Sequence, residues 1–209
     1  MMLDIKVKNI VLVGNFNPSY FDKYFFIKNG IASEEEILKN SVFNALGVMQ
    51  LVCDKFSVVI NTNQIIISAQ HPVHKDVEID KLMRTLIEAG NLLNLKALGF
   101  NFHWFLWDES KSFNELSKEL FYNNNNKMFT DIFNTNDSMY GAYVSKDIKE
   151  SRLKLDIKPV NTPELNAINF QFNFHFEIRD KSTSSEATEY LNDYNFYVDA
   201  CDKIISIYN

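Results

Sequence analysis

The sequence predicts an α+β fold in which a mostly antiparallel sheet is covered on one face by helices. Two segments, 152–158 and 166–178, alternate between apolar and polar residues, which is the pattern of a strand with one buried face. Short β-rich segments also follow one another with turn residues between them, which favours antiparallel pairing. Segments with an apolar stripe at helical spacing lie between and after the strands, and such a stripe has to be buried against another element.

The chain opens with a predicted buried strand at 5–16, because this segment is rich in β-branched residues. The strand ends in the turn signal Gly14-Asn15-Phe16-Asn17-Pro18. An aromatic segment at 19–28 then predicts a short helix that lies on the sheet. Ser33 and Glu36 have the spacing of a capping box, which predicts the start of another short helix.

The middle of the chain contains hairpin strands, one helix and a longer strand. The run Asn61-Thr62-Asn63 separates two β-rich segments and predicts a tight hairpin. Asp76 is a predicted helix cap, and the apolar residues that follow it recur at helical spacing up to residue 93. The predicted strands of this region are 46–53, 56–60, 64–69 and 97–107.

The remainder of the chain contains two main helices and three more strands. Ser112 and Glu115 predict a capped helix that ends near Tyr122, where an Asn-rich loop begins. Thr183 and Glu186 have the same spacing and predict the start of a long C-terminal helix. The predicted strands are 139–147, 152–158 and 166–178. The predicted order is therefore β-α-β-β-α-β-α-β-β-β-α.

The length and composition favour a single domain over residues 1–209. A chain of 209 residues with 46% hydrophobic residues and 18 Phe can bury one large core. The alternative is a decayed duplication with halves at 1–122 and 127–209, because each half carries one Asn-Phe-His strand.

The charge and the apolar pattern argue against several partners. A net charge of −6 disfavours binding along a nucleic-acid backbone, which requires a surface rich in Lys and Arg. No apolar run approaches the ~20 residues of a membrane span, and the N-terminus lacks the apolar core of a signal peptide. Cys53 and Cys201 lie far apart within apolar segments, so they do not indicate a secreted disulfide framework. We therefore expect a cytoplasmic protein with reduced thiols and no membrane partner.

One tripeptide occurs in two predicted strands, as Asn101-Phe102-His103 and as Asn173-Phe174-His175. Because alternate side chains of a strand share a face, each copy places its Asn and His on one face and its Phe residues on the other. The candidate ligand-binding residues are Asn101, His103, Asn173, His175 and Glu177. The alternative is that each Asn-His pair makes structural hydrogen bonds on a half-covered sheet face.

Other polar residues give weaker signals. His71 and His74 flank Pro72 and could hold a metal weakly, but a solvated loop is the simpler interpretation. The run from Gly14 to Pro18 lies where a phosphate loop would be, but it has one Gly and a bulky Phe. No Gly-x-Ser-x-Gly segment is present in the sequence. We therefore predict no catalytic residue, no metal ligand and no cofactor.

Tyrosines recur along the predicted C-terminal helix, and Tyr is enriched at protein interfaces. They form a candidate interface stripe, although packing of the helix on its own sheet explains the same spacing. The four tyrosines are Tyr190, Tyr194, Tyr197 and Tyr208.

Three short stretches carry a resemblance to a known family. They are Ile10-Val11-Leu12-Val13-Gly14-Asn15-Phe16-Asn17-Pro18, Ala97-Leu98-Gly99-Phe100-Asn101 and Phe172-Asn173-Phe174-His175-Phe176-Glu177. The chain resembles a family of uncharacterised, sporadically distributed bacterial proteins with a VGxFNP opening, a central LGxN strand and a late NxH[FY]E strand. The resemblance implies one domain and a bacterial cytoplasmic origin, and it implies no activity.

Two functions from different classes fit these features. The lack of catalytic motifs, the aromatic-rich elements and the mild acidity favour a non-enzymatic protein-interaction subunit or adaptor of a larger complex, or a homo-oligomer. Its contact surfaces would be the polar strand face and the last helix. The alternative is a small-molecule- or metal-binding domain that uses the polar sheet face around His103 and His175. A hydrolase with an unfamiliar arrangement is a third alternative, which requires His103 and His175 to converge on one cleft.

Overall fold

A computed structural model describes residues 2–45, 47–70, 77–161, 166–180 and 183–208 of the chain. Within these residues, nine strands form one antiparallel sheet, and six α-helices complete the fold, the last of them near the C-terminal end. The predicted α+β class with a mostly antiparallel sheet is therefore confirmed.

The strands pair as one continuous sheet. They are β1 (Met2–Val13), β2 (Val42–Ala45), β3 (Val48–Val52), β4 (Phe56–Ile60), β5 (Gln64–Ala69), β6 (Ala97–Trp107), β7 (Ala142–Ile148), β8 (Ser151–Asn161) and β9 (Asn166–Glu177). Their order across the sheet is β2-β3-β4-β5-β1-β6-β9-β8-β7. The central strands β1 and β6 each have a meander at their outer side, the four strands β5-β4-β3-β2 beside β1 and the three strands β9-β8-β7 beside β6. Division of the chain into two related halves stays a prediction.

The helices lie between the strands and after the last strand. They are α1 (Lys23–Lys28), α2 (Ile79–Gly90), α3 (Phe113–Phe121), α4 (Lys127–Asp131), α5 (Ser185–Asn192) and α6 (Tyr194–Ile205). Short 3₁₀ helices lie at Pro18–Tyr20 and Ser206–Tyr208. None of the helices in the described segments is long and apolar enough to cross a membrane.

The element order differs from the prediction in three places. Four strands lie between α1 and α2, where the predicted order has two strands and the predicted ranges give three, and two helices rather than one lie between β6 and β7. The predicted long C-terminal helix is divided into α5 and α6 at Asp193. Asp is a poor residue for a helix interior because its side chain competes for backbone hydrogen bonds, and the Asp193 carboxylate instead pairs with Lys149 Nζ at 2.9 Å.

The three predicted capping boxes have different outcomes. The Ser112 box at the start of α3 is confirmed, with both reciprocal hydrogen bonds present. Ser33 and Glu36 also bond reciprocally, but they close a turn and no helix follows. Glu186 does not cap a helix with Thr183, because its carboxylate accepts hydrogen bonds from the backbone N–H groups of residues 179 and 180. The predicted cap Asp76 lies outside the described residues.

Residues of the central strands alternate between the core and the opposite face. In β6, Phe100 and Phe102 are buried, whereas Asn101 and His103 are partly exposed. In β9 the four phenylalanines from 170 to 176 are buried in the same way, and the polar residues between them are partly exposed. These buried strand residues belong to one core cluster with the buried residues of α2, α5 and α6.

Aromatic rings attach α6 to the centre of the sheet. The ring of Phe100 lies 5.0 Å from that of Tyr194 and 5.6 Å from that of Tyr197. The ring of Phe176 in β9 lies 4.8 Å from the ring of Phe100. The rings meet edge to face, an arrangement that the quadrupoles of aromatic rings favour. α6 therefore packs over β6 and β9.

Candidate functional site

A ladder of three asparagine side chains crosses the centre of the sheet. The register places Asn9 of β1 opposite Asn101 of β6, and Asn101 opposite Asn173 of β9. Asn173 Nδ2 donates a hydrogen bond to Asn101 Oδ1 at 2.6 Å, and Asn101 Nδ2 donates one to Asn9 Oδ1 at 2.8 Å. We call these three residues the asparagine ladder, and we call the sheet face that carries them the ladder face.

The residues at the two ends of the asparagine ladder match its polarity. Lys154 of β8 lies opposite Asn173, and Ser68 of β5 lies opposite Asn9. Both ladder bonds are donated in the same direction, from β9 towards β1. The amide atom that the ladder does not use is therefore the acceptor Oδ1 at the Asn173 end and the donor Nδ2 at the Asn9 end. A lysine supplies donors and a serine hydroxyl can accept. The ladder also fixes the strand register, since a slip of one residue would turn these amides towards the core.

On the ladder face, Gly99 lies between a polar half and a row of three aliphatic side chains that has serines and glutamines beside it. Val11, Ile66 and Val59 lie opposite one another on β1, β5 and β4, and all three side chains are partly exposed. We call these three residues the aliphatic cluster. Gly99 lies opposite Val11 on one side and opposite His175 on the other. The polar half extends from His175 through β8, whose residues on this face are Arg152, Lys154, Asp156 and Lys158.

The two predicted site histidines lie on the ladder face but do not converge. His175 lies opposite Gly99, whereas His103 lies opposite Gln171, four residues beyond Gly99 on β6. The antiparallel pairing of β6 and β9 therefore places the two histidines on opposite sides of the asparagine pair. Their offset along the strands is about 13 Å at a rise of about 3.3 Å per residue. This separation is too large for both imidazoles to act on one atom.

Glu177 shares the strand face of His175 and lies opposite Ala97. His71 and His74, the second predicted histidine pair, lie outside the described residues. In the part of the chain that the structure describes, no three His, Cys, Asp or Glu side chains come close enough together to hold a metal ion. The structure therefore brings the two predicted asparagines into direct contact and leaves the predicted ionisable groups dispersed.

The surroundings of His103 are the most buried part of the polar half. Asn169 lies opposite both Phe105 and Lys158, and it is 4% exposed. Its Oδ1 atom has no hydrogen-bond partner among the described residues. Burial is the main cause that lowers the pKa of His103, and the positive charge of Lys158 lowers this pKa further. The imidazole is therefore neutral at neutral pH.

We expect His103 to make the folded protein less stable as the pH falls below about 7. In the unfolded chain His103 titrates near its ordinary pKa of 6.5, whereas the folded protein binds this proton only at lower pH. Below pH 6.5 the unfolded state therefore gains a proton first, and stability decreases until the pH passes the folded pKa. Urea unfolding at several pH values measures the effect.

The His103→Gln variant should flatten this pH profile because it removes the titrating group. Gln171→Asn changes the residue opposite His103 without removing an ionisable group, so it should leave the shape of the profile unchanged. If the His103→Gln variant loses stability with falling pH just as the wild-type protein does, His103 is not the group that causes the loss.

The tyrosines of the predicted interface stripe pack against the sheet. Tyr194 and Tyr197 are 2% and 1% exposed, and Tyr190 and Tyr208 are partly exposed. The ring of Tyr190 stacks on Phe176 at 4.8 Å, and the ring of Tyr208 lies 4.9 Å from another phenylalanine of β9. The rings of Tyr194 and Tyr197 therefore lie on the core side of α6, and those of Tyr190 and Tyr208 contact the sheet while staying partly exposed. A role of the four tyrosines at an interface stays a prediction.

Neither cysteine is suited to nucleophilic chemistry. Both are free and buried. Burial raises the pKa of Cys53 to about 11 and raises the pKa of Cys201 more strongly. Because the thiolate is the reactive form, both groups are inert at neutral pH.

The turn after β1 has a structural role. Asn17 Oδ1 accepts a hydrogen bond from the backbone N–H of Ser19 at 3.1 Å, and Pro18 begins the first 3₁₀ helix. Asn15 Oδ1 accepts a hydrogen bond from Lys96 Nζ at 3.3 Å. The Asn17 contact forms a side-chain turn at the predicted turn signal, whereas Asn15 bonds a lysine that is distant in sequence.

No family model matches the chain, and no curated protein matches it in sequence.

The sequence pattern does not predict two parts of the ladder face, namely Asn9 and the aliphatic cluster. Asn9 was a detectable signal, because it is the one amide between Ile5 and Val13, in a segment whose other residues are aliphatic or lysine. The aliphatic cluster was not detectable, since its three strands become neighbours through the fold.

Proposed function

We propose that this protein is a non-enzymatic interaction subunit or adaptor of a larger complex, and that the ladder face contacts its protein partner. The observation that carries the proposal is the aliphatic cluster. Three aliphatic side chains lie directly opposite one another on neighbouring strands and remain partly exposed. Contiguous apolar surface of this kind marks interaction sites.

The composition of the ladder face also supports a protein partner. Protein interfaces combine an apolar centre with a polar, hydrogen-bonding surround. On the ladder face the aliphatic cluster adjoins the asparagine ladder and then the charged residues of β8. On this proposal the helices cover the core face, since the buried residues of α2, α3, α5 and α6 pack with the buried strand residues.

The dispersed ionisable groups argue against an enzyme. His103 and His175 lie on opposite sides of the asparagine pair, and both cysteine thiols are buried with raised pKa values. Buried, unpaired thiols fit the proposed cytoplasmic location. A bacterial origin and membership of the family that the sequence resembles remain part of the proposal.

Native mass spectrometry of tagged protein, purified gently from its own host, tests the proposal. Wild-type protein should carry a second protein at a fixed ratio, and Ile66→Arg should lose it because the substitution places a charge in the aliphatic cluster. Ile207→Arg is the matched control, since Ile207 is 76% exposed and lies near the C-terminus. Wild-type protein without any second protein, or an Ile66→Arg variant that keeps it, would contradict the proposal.

A small-molecule-binding domain is the second candidate. The observation that favours it is the buried Asn169 Oδ1 without a partner among the described residues, close to His103 and Lys158. A buried amide oxygen of this kind is available to a ligand that donates a hydrogen bond. A small extra mass on the wild-type protein that is absent from Asn169→Ala and from His103→Ala would favour this candidate.

A further inference from the structure

The two edges of the sheet differ in how they are protected. Among the described strands, β2 and β7 are the outermost. β2 has 4 residues and pairs irregularly with β3, whereas β7 has 7 residues and pairs with β8 without a bulge. Natural sheets protect their edges with short strands, bulges, prolines or charged side chains, because an open edge accepts another strand. Among these features β7 has only the charged residues Lys146 and Asp147, so strand pairing at its outer edge depends on what lies opposite these two charges.

An exposed apolar cluster lies beside this edge. Six large apolar side chains between residues 128 and 144 are exposed: Met128, Ile132, Phe133, Met139, Tyr143 and Val144. Three of them, from α4 and the loop after it, line a surface pocket that also reaches Gly141, the residue before β7. The last two lie on β7 itself. Apolar surface is therefore continuous with the open edge.

We propose that a second copy of this chain occupies the edge, with its β7 paired antiparallel to the first β7. A two-fold axis normal to the sheet keeps both sets of helices on the same side and requires one residue to lie opposite its own copy. If all 7 residues of β7 pair with the 7 residues of the second β7, the central residue Ser145 lies on the axis. Two nine-stranded sheets then continue as one.

The charge pattern of β7 fits this register. Lys146 lies opposite Val144 of the second copy, and Asp147 lies opposite its Tyr143, so no like charges face each other directly. Ala142 lies opposite Ile148, which adds an apolar pair next to the apolar cluster. Moving the axis one residue towards the C-terminus would place Lys146 opposite its own copy, and like charges directly opposite destabilise a strand pair. At the full overlap β7 therefore pairs with its own copy without like charges directly opposite each other.

Sedimentation equilibrium of the wild-type chain and two Val144 variants tests the proposal. Val144 is 52% exposed and tolerates a charge. The wild-type chain should form a dimer at about 50 µM, well within the range of weak specific association. Val144→Lys places a lysine opposite Lys146 in both symmetric pairs and should weaken the dimer about tenfold or more. Val144→Glu places an opposite charge there and should keep or tighten the dimer.

The controls separate this edge from the ladder face. Ile66→Arg and Ile207→Arg should leave the dimer unchanged, so failure of the ladder-face proposal would not affect this one. Circular dichroism establishes that both Val144 variants are folded. A wild-type chain that is monomeric at about 50 µM would overturn the proposal, and so would equal effects of Val144→Lys and Val144→Glu.

Discussion

Replacing Phe100 with alanine is expected to lower the free energy of unfolding by about 3–5 kcal/mol. Phe100 is completely buried, and its ring contacts those of Phe176, Tyr194 and Tyr197. Removing the ring therefore leaves a cavity at the junction of β6, β9 and α6 and removes three edge-to-face ring contacts. Urea unfolding followed by circular dichroism measures the change.

The matched control for Phe100 is Phe196→Ala. Phe196 is on α6 and is 41% exposed, and its ring lies 5.2 Å from Tyr197 and 3.9 Å from Lys149 Nζ. Because much of the Phe196 ring is already exposed to solvent, we expect its removal to lower the free energy of unfolding by only about 1 kcal/mol. Equal losses in the two variants would mean that the ring cluster around Phe100 does not hold α6 on the sheet.

Replacing Asn101 with alanine is expected to lower the free energy of unfolding by about 1–3 kcal/mol. Asn101 is the middle residue of the asparagine ladder, where it accepts from Asn173 and donates to Asn9. The substitution removes both hydrogen bonds and leaves a donor and an acceptor unpaired in partly buried positions. Thermal and urea unfolding measure the loss.

The neighbouring ladder variants provide the internal comparison. Asn9→Ala and Asn173→Ala each remove one ladder bond, so each should cost about half as much as Asn101→Ala. Asn63→Ala, in the exposed β4–β5 turn, is a control that removes no side-chain bond of the ladder. If Asn101→Ala costs no more than Asn63→Ala, the ladder does not contribute to the register of the central strands.

Residue alternation in β9 predicts its two faces correctly, because a strand with one buried face has a period of two that the sequence displays directly. Phe172 and Phe174 are buried, and Asn173 and His175 are partly exposed, as the alternation requires. The hairpin turn at Asn61 is also confirmed, since Asn61 Oδ1 accepts from the backbone N–H groups of residues 63 and 64. Patterns that are complete within a few residues are therefore readable from the sequence.

Features that depend on which strands become neighbours are not readable in this way. The two Asn-Phe-His copies have the same direction in the sequence, but antiparallel pairing joins their asparagines and separates His103 from His175. Asn9 completes the ladder from a strand that the sequence presents as fully buried. Strand order follows from the packing of the whole chain, and short β-rich segments can pair in several ways.

The division of the last helix is also not readable from its apolar stripe. The stripe from Tyr190 to Tyr208 continues across the break, because α5 and α6 both pack against Phe176 of β9. The break occurs at Asp193, whose carboxylate pairs with Lys149 beyond the end of β7. Such a contact joins residues distant in sequence, so periodicity alone does not predict it.

Site-specific photo-crosslinking in the host cell tests the role of the ladder face most directly. A photoreactive residue at Val59 lies in the aliphatic cluster, and one at Ile207 lies near the C-terminus outside it. The proposed function predicts a crosslink from position 59 to one other protein and no such crosslink from position 207. A chain that crosslinks to that protein from position 207, or to no protein from position 59, would contradict a contact surface on the ladder face.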